Sequence, residues 1–180
     1  MRPHQLFRHV PRDLAVGVFQ FLRDEERDVY KSTLATLALK RKLRPVFMQK
    51  RPLDKQINWM IDTVQIRDVN EVAEQILQVW LMKARQDLLT GFLDAMEIEH
   101  DGEGAVEGDL PEDLDVKKLK SAIETLLKDF PAEEVAIYLH VFDGQRPNGW
   151  AELKEILEND ERLALGEKPE VKVDEASDEE

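Results

Sequence analysis

The residues best suited to chemistry gather between Glu97 and Asp115, where EIEHDGEGAVEGDLPEDLD holds nine carboxylates, three glycines and one imidazole. Read as a calcium loop opening at Glu99, the stretch puts Asp101 and Glu103 at the third and fifth ligand positions. Gly104 falls at the sixth, where the chain must turn sharply. Leu110 then occupies the twelfth position, which needs a bidentate glutamate. Glu99, Asp101 and Glu103 are therefore metal candidates without a closing ligand, and a solvated acidic loop is the preferred reading. His100 lies between Glu99 and Asp101 and would serve as a general base if either carboxylate oriented its ring. Chain neighbours seldom face each other well enough for that.

The rest of the chain offers little to a catalyst. There is no cysteine, which excludes thiol chemistry, disulfides and cysteine-ligated zinc. Ser32, Ser121 and Ser177 sit in no nucleophile motif, and His4, His9 and His140 are too scattered to form a metal site by spacing. No phosphate-binding glycine loop, dinucleotide fingerprint, His-Glu-x-x-His pair or nucleophile elbow is present. The expectation is a non-enzymatic protein without cofactors.

Charge is the stronger signal. The 180 residues carry a net charge of −13, yet residues 1–67 hold 14 Lys/Arg against 7 Asp/Glu, a balance of +7. Residues 68–180 hold 11 against 31, a balance of −20. The positive charge concentrates in ALKRKLRPVFMQKRPLDKQ, where Lys40, Arg41, Lys42, Arg44, Lys50, Arg51 and Lys55 face only Asp54. Val46, Phe47, Met48 and Leu53 lie among them and are expected to anchor the segment to the core. Such asymmetry points either to internal pairing of the two halves or to an external acidic partner. Nucleic acid is the lesser expectation, because the overall charge opposes a polyanion and no paired stacking aromatics are present.

The elements that would position these groups read as helices. DLAVGVFQFLR follows Pro11 with Leu14, Val18, Phe21 and Leu22 on one face. A second helix is expected from an Asp24 cap to about Lys42, striped by Val29, Leu34 and Leu37. A third starts near Pro52 and turns Ile57, Met60, Ile61 and Val64 inward. Asp68 and Glu71 match a capping box, and Val69, Val72, Ile76, Val79, Trp80, Ala84, Leu88, Phe92 and Ala95 follow at helical spacing. That pattern predicts one central helix of about 27 residues, about 40 Å long. Helices resume at VKKLKSAIETLLKDF and at PAEEVAIYLHVF, the latter also compatible with a buried strand, and close with WAELKEIL. Trp59 and Trp80 read as core anchors, and Trp150 as a partly exposed residue at an interface or at the seam between the two halves.

The stretch VPRDLAVGVFQFLRDEERDVYKSTL, from Val10 to Leu34, resembles the short-helix repeats in the intracellular N-terminal domain of magnesium transporters. A proline-led helix there is followed by an acidic cap and another helix. The resemblance covers about 25 residues and implies a helical, interaction-type module.

The sequence thus predicts an all-α fold, a helical bundle or short-helix array packed on one long helix. Its expected parts are an N-terminal half (1–96), an acidic loop (97–115), a C-terminal helical half (116–165) and a disordered acidic tail (166–180). The longest apolar run, VAIYLHVF, is far short of the roughly 20 residues of a membrane span, and no secretory leader is visible. A cytoplasmic interaction module is expected, with a protein partner or a second copy presenting acidic surface. The alternatives are an enzyme or metal-dependent protein using residues 97–103, and nucleic-acid binding through residues 40–55.

Overall fold

The computed structural model describes residues 1–108, 110, 114–145 and 149–166. Among them ten α-helices follow one another: α1 (Pro3–His9), α2 (Arg12–Glu25), α3 (Arg27–Lys40), α4 (Pro45–Gln49), α5 (Leu53–Val64), α6 (Asn70–Ala84), α7 (Gln86–Met96), α8 (Val116–Asp129), α9 (Ala132–Gly144) and α10 (Ala151–Asn159). The β-type pairing among the described residues is one antiparallel bridge between His100 and Val106. The fold is all-α, as expected, and the segment 132–142 is helix. No described helix is long and apolar enough to cross a membrane. The expected tail lies outside the described residues, Gly166 excepted.

Proline marks many of the helix starts. Pro3 and Pro45 stand at the first position of α1 and α4, and Pro11, Pro52 and Pro131 stand one residue before α2, α5 and α9. A missing N–H costs nothing there, because the first four amides of a helix have no intrahelical acceptor. Other boundaries carry no such mark. α2 and α3 meet at Glu26, whose backbone (φ −122°, ψ 56°) leaves the helical region. Asp24 is not the cap expected of it; its carboxylate accepts from Arg23 at 2.6 and 2.7 Å.

The single 27-residue helix is not formed. A 3-10 turn at Arg67–Val69 contains Asp68, and α6 begins without a side-chain cap. The chain then breaks at Arg85 (φ −134°, ψ 33°) before α7. The break is tertiary in origin, since neither glycine nor proline is near. Arg85 Nε and Nη2 donate to the two oxygens of Glu134 on α9, at 2.5 and 2.6 Å, and Nη1 donates to the Ala84 carbonyl at 2.7 Å. The guanidinium also lies over the Trp80 ring, 5.3 Å from its centroid. Freed from the axis of α6, α7 packs along α8. The central role falls to α6 alone, which meets α1, α2, α3, α5, α7 and α9.

One continuous core runs through both halves. Ile57, Met60, Ile61 and Val64 of α5 are all buried, as their spacing predicts. Phe92, Tyr138, Phe142 and Trp150 form a chain of ring contacts with centroids 5.3–6.0 Å apart. Edge and tilted packing of this kind adds to the burial of the rings themselves. Trp150, expected to be partly exposed at an interface or at the seam between the halves, is instead 6% exposed inside this cluster, which joins Phe92 of the first half to rings of the second.

Candidate functional site

The basic segment begins where α3 ends. Lys42 adopts a left-handed conformation (φ 57°) that normally favours glycine. The turn lets Leu43 N–H donate to the Ala38 carbonyl at 2.8 Å and Lys42 N–H to that of Leu39 at 2.9 Å, closing the helix with a Schellman motif. Pro45 then starts α4, a single turn too short to bury more than one side. Met48 is that side, at 1% exposed.

A buried amide fastens α4 in place. Gln56, on α5, donates through Nε2 to the carbonyls of Gln49 (3.1 Å) and Arg51 (2.8 Å) and accepts through Oε1 from the Tyr30 hydroxyl of α3 at 3.1 Å. Each polar atom of the buried amide is satisfied, so rotation of α4 would orphan several groups at once. With Met48 inward, Val46 and Phe47 must face solvent. Phe47 is 60% exposed and Val46 47%. Leu39, Leu43 and Leu53 are exposed as well. The expectation that Val46, Phe47 and Leu53 anchor the segment is therefore corrected: Met48 and Gln56 anchor it, and the other apolar side chains are on display.

The seven predicted cations, Lys40, Arg41, Lys42, Arg44, Lys50, Arg51 and Lys55, are all exposed. None is ion-paired with an acidic side chain among the described residues. The segment thus presents positive charge interleaved with bare apolar surface. Sequence reasoning found the cations and missed the exposed phenylalanine, because a five-residue helix has no periodicity to read.

The acidic loop is organised by its own backbone. Asp101 accepts from the amides of Glu103 (2.8 Å) and Ala105 (3.0 Å), and those bonds hold its carboxyl below the usual range. His100 pairs with Asp94 (Nε2–Oδ1 3.0 Å) rather than with Glu99 or Asp101, and its Nδ1 accepts from the Gly102 amide at 3.1 Å. Both ring nitrogens are thus engaged within the loop and with α7. Among the described residues no three His, Asp or Glu side chains converge as a metal site, so Glu99, Asp101 and Glu103 do not come together as ligands. His140 is 5% exposed inside α9, and burial pushes its pKa down to about 4. It is a neutral core imidazole at pH 7.

No family model, curated protein or solved structure matches this chain.

Proposed function

We propose that the chain is a non-enzymatic, helical protein-interaction module. Its docking surface is the segment from Leu39 to Lys55, and its ligand is an acidic protein surface carrying apolar side chains. The observation that supports this most is the exposed Phe47 at the middle of seven cations that make no ion pair among the described residues. Exposed aromatics rimmed by charge recur at interfaces, where the ring supplies the buried centre and the charges set orientation and encounter rate. The interaction role implied by the resemblance to magnesium-transporter N-terminal domains agrees with this reading.

Titration of the protein with a fluorescent acidic helical peptide containing Leu and Phe, and in parallel with single- and double-stranded oligonucleotides, tests the reading. Peptide binding that weakens between about 50 and 200 mM salt, and that Phe47→Asp abolishes, supports it. Oligonucleotide binding over the same salt range that ignores Phe47 but is lost on Lys40/Arg41/Lys42→Glu would transfer the function to nucleic-acid binding.

A further inference from the structure

The second half of the chain holds a surface complementary to the first. A cleft of about 1000 Å³ opens between α8 and α10. Val116, Ile123 and Ile156 supply its apolar lining, and Glu152, Glu155 and Glu161 are among the groups that edge it. Arg162 also lines the cleft, but its guanidinium is spent on Glu124 at 2.5 Å and Asp160 at 2.6 Å. Among the described residues none of those three glutamates is ion-paired, and Lys120 is the one other cation at the cleft. The cleft therefore joins negative charge to apolar surface, the converse of the α4 segment.

The fold keeps the two surfaces apart within one chain. α4 packs on α3, while α8 packs on α7 and α9, and α10 packs on α9. Neither the basic segment nor the cleft is used up by the other. Building on the proposed docking role of α4, we infer that its occupant is a second copy of this chain, whose α8–α10 cleft receives Val46 and Phe47. Arg44, Lys50 and Arg51 would then meet Glu152, Glu155 and Glu161. The contact joins different patches on the two copies and is heterologous: each chain offers one knob and one cleft. The net charge of −13 opposes approach at long range. At about 0.15 M salt that repulsion is screened beyond roughly 8 Å, whereas contact pairs and apolar burial survive.

Sedimentation velocity on the full chain over about 5–300 µM tests the inference, a span that reads dissociation constants in the micromolar range. The average mass of the parent should rise with concentration. Phe47→Asp and Glu155→Lys/Glu161→Lys should each weaken association at least about tenfold. All three positions are exposed, so circular dichroism of both variants should match the parent. An equimolar mixture of the two variants should form a 1:1 complex, because one retains the cleft and the other the knob. A parent that stays monomeric, or a mixture that fails to complex, overturns the inference. If that monomer still binds the acidic peptide through Phe47, the docking role stands and only the identity of the occupant falls; if it binds neither, both fall. Phe47-dependent sedimentation of a monomeric parent with phosphatidylserine vesicles would replace the second copy with an anionic membrane surface.

Discussion

Replacing Arg85 with leucine should show that the α6–α7 break is held by one ion pair. The Glu134 side chain is 8% exposed and that of Arg85 33% exposed, so the two partners are unequally buried. In Arg85→Leu the Glu134 carboxylate keeps its enclosure and loses both charge-assisted donors. Removing one partner of a fully buried pair costs about 3–5 kcal/mol. Glu134 lies in the first turn of α9, where the helix terminus returns about 0.3–1 kcal/mol to a negative group. The expected destabilisation is therefore about 2–4 kcal/mol. Glu134→Leu leaves an arginine that can swing its head to water along its aliphatic stem, and should cost only about 1–2 kcal/mol. The double variant should be less destabilised than the sum of the singles, with a coupling of at least about 1 kcal/mol. Urea melts followed by tryptophan fluorescence and far-ultraviolet circular dichroism at pH 7 give all three values. Additive effects, or an Arg85→Leu cost below about 0.5 kcal/mol, would refute the argument and leave the break without this cause.

Acid should destabilise the fold through His140. Its folded pKa of about 4 lies below the ordinary 6.5, so the unfolded chain takes up the proton first as pH falls. The stability this group contributes is complete above about pH 6.5 and drains away toward pH 4, on the order of 3 kcal/mol in all. Melts of the parent and of His140→Gln across that range should differ in slope, and equal slopes would contradict the assignment. Lys42 and Glu97 both sit at positive φ at helix ends, so Lys42→Gly and Glu97→Gly should each raise stability by about 0.5–1 kcal/mol in denaturant melts. Gln56→Leu should free α4, seen as faster amide exchange at Met48 and Arg51 with little change in the core of α5, since it removes three hydrogen bonds around that turn.

Where local rules decide the structure, the residues announced it. The inward set of α5 and the proline-led starts follow from spacing and from the missing amide of proline. PAEEVAIYLHVF reads as helix from its Pro-Ala-Glu-Glu opening but also suits a buried strand, because Glu134 to Phe142 are all buried and no period marks one face. The break at Arg85 was not legible, because its cause is Glu134, 49 residues away, and the stripe from Val69 to Ala95 reads smoothly across it. The burial of Trp150 is hidden for a similar reason: a tryptophan after a turn looks partly exposed until the ring of Phe142 is found beside it. The docking segment was half legible. Its cations are plain in the sequence, but which of Val46, Phe47 and Met48 turns inward depends on the buried Gln56 amide, a contact that no pattern of hydrophobicity records.

The account rests on Phe47 and the surrounding cations acting together as a docking surface, and the direct measurement is affinity for the acidic peptide in a two-way variant set. The parent, Phe47→Asp, Arg44→Glu/Arg51→Glu and the combined variant are compared at low and moderate salt. The account predicts that either change alone weakens binding at least about tenfold, with the charge variant also losing most of the salt dependence. Binding that persists unchanged in Phe47→Asp would contradict it, because the exposed apolar centre would then have no part in recognition.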